Sequence, residues 1–316
     1  MAKGVDLMEK YIIRRLLMLI PVLLGISIFA FSILHLTPGD PALMMLGEHA
    51  PPEQLENLRR SLGLDQPLPV QYFNWLSRAV QLDFGRSLRS NALVINEIAS
   101  YLPNTAQLAG SAVFFSVLIG IPIGIISAVR PNSILDNVTM VGALAGVGMP
   151  AFWQAIMFIL IFSVTLGWFP SSGKMGGAAY FVLPTMTLAT VSTASIARMT
   201  RSAMLEVISQ DYIRTARSKG LNERRIVYRH ALRNALIPVV TIIGLQAGAL
   251  MTGAVLTETI FAWPGIGRMI VEAIRQKDFP VVQGVIMTFA VSYALINLFV
   301  DILYAYLDPK IRVKYK

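Results

Sequence analysis

The feature of this sequence that most limits its fold is a series of six long segments that carry no charged side chain. A helix needs about 17 to 25 apolar residues to cross the hydrocarbon of a bilayer, and each segment is long enough. Of the 316 residues, 55% are hydrophobic and 14% are charged, against about 25% charged in ordinary soluble domains. We predict an all-α, polytopic membrane protein with six transmembrane helices: Leu16–Leu34, Leu102–Val129, Asn137–Leu166, Ala179–Ala197, Asn234–Thr257 and Phe279–Val300.

Two of these segments contain features that shape the span. Charge is absent from Asn137 to Gly173, which is too long for one crossing, and residues 167–173 contain an interfacial tryptophan followed by a Pro-Ser-Ser-Gly turn. The third span is therefore predicted to end near Leu166. Pro122 and Pro150 mark predicted kinks, because proline interrupts the helical hydrogen-bond ladder.

The distribution of Lys and Arg predicts the orientation, because basic residues are kept on the cytoplasmic side. With both termini inside, the inner segments hold 18 of the 27 basic residues: four at the N-terminus, Arg130, nine from Arg198 to Arg233 and four in the tail. The predicted organisation is a cytoplasmic N-terminus with the first span (1–36), an extracytoplasmic loop (37–101), a membrane core (102–307) and a cytoplasmic tail (308–316).

Short amphipathic helices are predicted on the outer side. In the first, Pro52 suits a helix start and Gly63 a left-handed stop, and the stripe between them is formed by Leu55, Leu58 and Leu62. A second is expected over 70–82, and a third carries Ile266, Met269, Ile270, Ala273 and Ile274 at helical spacing. We interpret them as surface covers for the bundle; contact with an extracytoplasmic partner is the alternative.

The sequence lacks the motifs of a membrane enzyme. It contains three histidines and no cysteine, no His-Glu-x-x-His and no Gly-x-Ser-x-Gly. Gly173-Lys174 is followed by Met175 rather than by Ser or Thr, so the pattern of a phosphate-binding loop is incomplete and ATP binding by this chain is not expected. No catalytic residue, no metal site and no cofactor of the chain's own are predicted. Nucleic acid is not expected as a partner, because the basic residues lie between apolar segments.

The energy for any transport must therefore come from an ion gradient or from a separate subunit. Ion-coupled carriers usually place ionisable residues within the membrane, and the spans here are nearly free of them. Asp301 is the nearest candidate, as an interfacial anchor or as a relay. Glycine pairs at four-residue spacing indicate close helix packing, within this chain or against a second membrane subunit: Gly120 and Gly124, Gly142 and Gly146, Gly244 and Gly248.

The inner loop 198–233 is predicted to form two helices joined by a cap. Ser209 or Asp211 can begin a short helix with one basic face and one apolar face, and Gly220 suits its left-handed end. The apolar face is formed by Tyr212, Ile213 and Ala216. Asn222 then caps a second helix that continues into the fifth span. A short amphipathic helix of this kind can fill a groove in a soluble partner.

At these residues the sequence resembles the membrane subunits of binding-protein-dependent ABC importers. The family pattern is Glu-Ala-Ala, three residues, glycine, nine residues and Ile-x-Leu-Pro; here Arg214-Thr215-Ala216 and Gly220 take the first positions, and His230-Ala231-Leu232-Arg233 follows. These departures resemble the dipeptide, oligopeptide and nickel branch. Motifs of that branch recur along the chain at Pro38-Gly39-Asp40-Pro41, Leu62-Gly63-Leu64-Asp65-Gln66-Pro67, Asp83-Phe84-Gly85-Arg86-Ser87 and from Glu258 to Gly267.

The resemblance implies a type I ABC importer fold in a bacterial or archaeal cytoplasmic membrane. It implies a second, similar permease, two ATPase subunits that bind ATP and Mg, an extracytoplasmic solute-binding protein and surrounding lipid. The implied ATPase-coupling residues are Tyr212, Arg214, Thr215, Ala216, Arg217, Lys219 and Gly220.

The cargo is not readable from the sequence. Peptides are the first candidate for the cargo, and nickel or a related small solute is the second. Four residues are candidates for lining a pathway, although each is equally able to join helices: Gln107, Gln154, Gln246 and Thr252. A self-contained channel or ion-coupled secondary transporter is the alternative function, and a membrane scaffold or receptor is the third.

Overall fold

The computed structural model describes residues 2–36, 42–43, 47 and 50–307, without the side chains of 2–11, 58, 61, 62, 253 and 304–307. In these ranges the chain is helical apart from turns and one isolated antiparallel bridge between Arg86 and Leu93. Five helical segments are long and apolar enough to cross a membrane, and a bent pair of helices makes a sixth. The all-α prediction with six spans is confirmed. The first Pro-Gly-Asp-Pro motif and the tail lie outside the described residues.

The helices follow one another with short connections. The first part of the chain forms α1 (Ala2–Leu36), α2 (Pro52–Leu62), α3 (Leu68–Val80) and α4 (Val94–Val129). The middle forms α5 (Ile134–Gly148), α6 (Ala151–Phe158, continued by a π-helix Ile159–Thr165) and α7 (Ala179–Ile208). The last part forms α8 (Asp211–Ser218), α9 (Glu223–Arg225, continued by a π-helix Ile226–Ala231), α10 (Leu232–Gly253), α11 (Val255–Ile260), α12 (Ile266–Arg275) and α13 (Phe279–Leu307).

The third span differs from the single helix that the sequence predicted. It consists of α5 and α6 with its π-helix, bent by 104° at a short break. Pro150 is the cause, because it has no backbone N–H to continue the ladder and stands directly before α6. Gln154 Nε2 donates to the carbonyls of Gly146 (2.7 Å) and Met149 (3.3 Å), which compensates backbone groups at the break. Pro122, in contrast, lies inside the uninterrupted α4.

Glycines bring two pairs of spanning helices into close contact. A Cβ added at Gly124 of α4 would lie 2.5 Å from Thr200 Cβ and 2.6 Å from Ala197 O of α7. A Cβ at Gly244 of α10 would overlap Val300 of α13. Packing within the chain therefore explains these motifs, whereas Gly142 of α5 has nothing within 4 Å of an added Cβ.

The three predicted amphipathic helices are present. α2 begins at Pro52 and ends at Gly63, whose φ is 67°; the side chains of Leu58 and Leu62 lie outside the described set. α3 begins and ends two residues earlier than expected. Most of the apolar stripe of α12 is buried between α4 and α13, where Ile266, Met269 and Ala273 pack with Val94, Ile98, Val281, Val282 and Val285, whereas Ile274 is 58% exposed. The helix thus covers part of the bundle with its apolar face; contact with an extracytoplasmic partner stays a prediction.

The first and last spanning helices are joined by an ion pair. Arg15 Nη1 lies 3.1 Å from Asp301 Oδ2. The pair favours the anchor interpretation of Asp301, because the carboxylate has a partner on a neighbouring helix.

Candidate coupling segment and translocation groove

The candidate coupling segment is α8, which follows the long α7 after a two-residue turn. Gln210 is its N-cap, without a side-chain capping bond, and Asp211 is already its first helical residue. The predicted cap at Ser209 or Asp211 is wrong: Ser209 ends α7, and its hydroxyl donates to Glu206 O at 2.8 Å. The carboxylate of Asp211 still suits this first turn, where the helix dipole is positive.

The end of α8 follows the prediction. Gly220 adopts a left-handed conformation (φ 75°), and its N–H donates to Arg217 O at 2.9 Å. An added Cβ would meet nothing within 4 Å, so glycine is required here by the backbone angle rather than by space. Asn222 Oδ1 then accepts from Arg224 N at 2.9 Å, which confirms the predicted cap of the next helix.

One side chain anchors α8 to the bundle. Ile213 is fully buried in a cluster to which α4, α7 and the start of α10 contribute, and Ala216 packs at its edge. Tyr212, expected on the same apolar face, is 45% exposed, and its hydroxyl accepts from Asn234 Nδ2 at 2.8 Å. The sequence included Ile213 in the apolar face but did not single it out as the anchor. The signal was its position as the only large aliphatic side chain in a polar segment.

The remaining face of α8 is exposed and basic. Arg214 Nη1 lies 3.7 Å from Asp211 Oδ1, and both side chains are largely exposed. Arg217 Nε donates to Glu223 Oε1 at 2.6 Å, which raises the pKa of Arg217 above its usual range. Thr215 and Lys219 also lie on exposed positions. The segment thus presents cationic side chains outward while Ile213 holds it in place.

A continuous helical segment connects α8 to the membrane. From Glu223 to Thr252 the chain passes through α9, the π-helix Ile226–Ala231 and α10 without a break that ends the span. Ile226, Val227 and Ala231 of the π-helix belong to the same cluster as Ile213. The side chain of Ile213 therefore packs directly against the helical segment that continues into α10. π-Helical turns often occur at functional sites.

An ion pair that the sequence analysis missed joins α5 to α7. Arg201 donates two hydrogen bonds to the carboxylate of Asp136, both of 2.7 Å, and Asn132 N donates a third at 2.9 Å. Asp136 is 1% exposed. The only sequence signal was a charged residue at the margin of each segment, 65 residues apart.

A groove of about 780 Å³ runs along the face formed by α4, α5 and α7. Its lining is apolar or carries small hydroxyl groups, and includes Ser111, Phe115, Thr139, Gly142, Phe181 and Thr185. None of the four candidate pathway residues is among the lining residues. Gln107 is exposed near one end, Gln154 is buried at the bend, Gln246 is half-buried, and the Thr252 hydroxyl donates back to its own helix. Their role in the pathway stays a prediction.

The opposite end of α10 leads into a turn organised by a buried carboxylate. Glu258 is fully buried; Thr105 Oγ1 donates to its Oε1 at 2.6 Å, and Arg268 N donates to its Oε2 at 3.0 Å. Ile266 N donates to Thr105 Oγ1 at 2.9 Å, which ties α12 to α4. Burial raises the pKa of Glu258 and outweighs these hydrogen bonds, which lower it. Gly267 is needed for space, since an added Cβ would lie 2.8 Å from Oε2.

The arrangement is that of a multi-span membrane protein in which a short, exposed, basic helix (α8) lies between two spanning segments. Residues 120–313 match the family model described as the inner membrane component of binding-protein-dependent transport systems, and residues 8–109 match the model of its N-terminal part. The chain belongs to this family and is a pore-forming permease subunit of an ABC importer. The resemblance found in the sequence is confirmed, and the family's ATPase is a separate subunit.

The relatives cover nearly the whole chain. The dipeptide transport system permease protein DppB of Alkalihalophilus pseudofirmus is 46% identical over 96% of this chain and 100% of its own length. The glutathione transport system permease protein GsiC of Escherichia coli K12 is 44% identical over 97% and 100%.

Solved structures agree on the fold. The inward-facing methionine ABC transporter MetNI has a TM-score of 0.54 at 21% identity, over 67% of this chain and 96% of its own. An amino acid ABC transporter has a TM-score of 0.55 at 15% identity, over 67% and 94%. This fold matches the predicted type I importer architecture, and the family places the chain as a multi-pass protein of the bacterial inner membrane.

Proposed function

We propose that this chain imports short peptides, including modified ones such as glutathione, across the cytoplasmic membrane by alternating access. The observation that carries the proposal is the similarity, at 44–46% identity over nearly the full length, to permeases named for dipeptides and glutathione. Both solutes combine amide groups with free carboxylates. Nickel is a weaker candidate, because among the described residues no three His, Asp or Glu side chains cluster as metal ligands.

The proposed complex contains a second permease, two ATPase subunits that bind ATP and Mg, and an extracytoplasmic binding protein. We assign α8 to the cytoplasm, together with both termini, because most of the Lys and Arg residues lie on that side. Its basic face, with Arg214, Arg217 and Lys219, then faces an ATPase subunit. Tyr212, Thr215 and Ala216 complete the docking segment, and Gly220 turns the chain toward α10.

Coupling follows from the way α8 is attached. When the ATPase pair closes around ATP, the groove that holds α8 moves, and Ile213 passes this motion to the cluster shared with α7 and the π-helix. Because Glu223–Thr252 is one continuous segment, the motion tilts α10 against α13. The permease pair then opens outward, receives cargo from the binding protein and returns after hydrolysis.

Reconstitution tests the proposed function. The full complex in proteoliposomes, supplied with its binding protein, should accumulate radiolabelled dipeptide or glutathione only with hydrolysable ATP. A non-hydrolysable analogue is the control. Accumulation by the permease without ATPase subunits would support the channel or secondary-transporter alternative instead.

The orientation has its own test, because the chain contains no cysteine and each introduced thiol is therefore unique. Tyr212→Cys should react with a membrane-impermeant maleimide only after the cells are opened. Met175→Cys, at an 84% exposed position in the loop before α7, is the matched control and should react in intact cells. The reverse pattern would contradict the assignment.

A further inference from the structure

A lysine in the loop before α7 is held at one end of the groove by two amide side chains. Lys174 Nζ donates to Asn104 Oδ1 at 2.5 Å and to Gln107 Oε1 at 3.2 Å. The ammonium also lies 5.2 Å from the ring centre of Trp263 and 5.8 Å from that of Phe181. These are cation–π distances. The side chain of Lys174 nevertheless remains exposed.

The surrounding platform is fixed by bonds that do not involve the lysine. Trp263 is fully buried, its Nε1 donates to Asn104 O at 3.1 Å, and Asn104 Nδ2 donates to Pro264 O at 2.7 Å. Phe181 packs edge-to-face on Trp263 with 4.5 Å between the ring centres. The site is therefore pre-organised, with Lys174 and Gln107 exposed and with Asn104 and Phe181 half-buried.

The electrostatic surroundings favour an anion from outside the chain. Within the described ranges, Lys174 forms no ion pair with a carboxylate. The neighbouring Glu258 is fully enclosed and accepts from Thr105 and Arg268 N. The present acceptors of the ammonium are thus neutral amide oxygens. A carboxylate adds the attraction of opposite charges to the hydrogen bond, which a neutral amide oxygen does not supply.

The platform is continuous with the groove. Phe181 contributes to both, since its ring flanks Lys174 and also lines the groove. Gln107 lies four residues, about one helical turn, before Ser111, which is a lining residue. Lys174 therefore stands at the entrance of the apolar groove, on the outer side in the proposed orientation.

We propose that Lys174 receives the carboxylate of the incoming peptide and is a specificity-determining residue of the permease. The inference rests on the proposed peptide cargo. The carboxylate displaces the longer contact, to Gln107, and binds the ammonium, while Asn104 keeps the lysine in place. The ring of Phe181, which lines the groove, then borders its start for the apolar part of the solute, and the buried Trp263 packs against that ring.

The test compares two forms of one dipeptide, with a free C-terminal carboxylate and with a C-terminal amide. Uptake is measured in proteoliposomes that contain the full complex and saturating purified binding protein, for wild type, Lys174→Gln and Lys174→Arg. Arg275→Gln is the matched control, because it removes an exposed positive charge from α12 outside the groove. Using one binding protein throughout isolates the contribution of the permease to the free-acid to amide uptake ratio.

We expect Lys174→Gln to lower free-acid uptake about tenfold, equivalent to about 1.4 kcal/mol, and to leave amide uptake unchanged. Lys174→Arg should retain most of the preference, and Arg275→Gln all of it. Equal losses for both forms would mean that Lys174 only tethers its loop, and would overturn the inference while peptide import stands. Absence of any peptide uptake by the wild type would overturn the proposed cargo, and the inference with it.

Discussion

The two ends of α10 are attached to the rest of the molecule in opposite ways. At one end, α8 is exposed and basic, and its one fully buried large side chain is that of Ile213. At the other end, the fully buried carboxylate of Glu258 collects hydrogen bonds from Thr105 and from the backbone of α12. A single apolar anchor allows a segment to shift as a unit, whereas a buried polar network fixes one geometry.

In the proposed mechanism, this difference separates the end of α10 where motion begins from the end that resists it. In that mechanism the α8 end follows the ATPase subunit, which its exposed cationic face contacts, and its anchor Ile213 packs against the π-helix. The Glu258 end is built to hold α4, α11 and α12 together. We call the Glu258 end the fixed end and the α8 end the movable end. Mutations at the fixed end should lower stability, whereas mutations at the movable end should uncouple transport from ATP hydrolysis.

The largest effect is expected from Glu258→Ala. Removing the carboxylate leaves the Thr105 hydroxyl and Arg268 N without an acceptor, and each unsatisfied donor costs about 1–3 kcal/mol. The total loss should be about 4 kcal/mol, visible as a lower melting temperature of the detergent-solubilised permease. Glu258→Gln is the control and should lose about half as much, since one oxygen remains to accept. Equal stability of Glu258→Ala and wild type would show that the network is not the fixed end.

Ile213→Ala should be next. Truncating a fully buried isoleucine costs about 2–5 kcal/mol, depending on how far the site collapses. Because this residue is the anchor of α8, we expect transport to fall more than the amount of assembled complex. ATPase activity and uptake are measured on the same preparation, and coupling is expressed as solute imported per ATP hydrolysed. This ratio separates a loss of coupling from a loss of assembled complex. Ile274→Ala, at a 58% exposed position of α12, is the control. An unchanged ratio of solute imported to ATP hydrolysed in Ile213→Ala would argue against transmission of motion through Ile213.

Gly220→Val should have a smaller effect on stability. A β-branched residue in the left-handed region is strained by about 1–2 kcal/mol, and an added Cβ meets nothing within 4 Å. The expected result is normal membrane insertion with reduced ATP-dependent uptake, because the turn between α8 and α9 changes direction. Gly220→Asn is the control, since asparagine tolerates this conformation. Full uptake by Gly220→Val would remove Gly220 from the coupling mechanism.

Local rules predicted the parts of the site that lie within a few residues of one another. Gly220 and the Asn222 cap are examples, because a left-handed stop and a side-chain cap depend on neighbouring backbone groups. The same holds for the six spans, whose length the bilayer dictates. Pro150 predicted the position of the bend in the third span. The angle of 104° was not predicted, because it depends on how α5 and α6 pack against α7.

The long-range contacts could not be predicted in this way. Arg201 meets Asp136 across 65 residues, and Thr105 meets Glu258 across 153. A single sequence gives the residue types of such pairs but not their proximity, which is fixed when helices pack. Lys174 illustrates the point, because it was noticed only as part of an incomplete phosphate-loop pattern. Its contacts with Asn104 and Gln107 depend on the fold.

The smallest expected effect is the pH dependence that Glu258 gives to the fixed end. Burial raises its pKa in the folded protein above the ordinary value, so the folded state holds this proton more tightly than the unfolded state. Its contribution to stability is therefore full below the ordinary pKa and is lost as the pH rises through the raised one. The melting temperature of wild type relative to Glu258→Gln should accordingly increase as the pH is lowered from neutral toward 5. Glutamine does not titrate, so the difference isolates this one carboxyl group. A difference that stays constant over that range would show that the hydrogen bonds from Thr105 and α12 offset burial, and that the fixed end keeps its charge at no net cost.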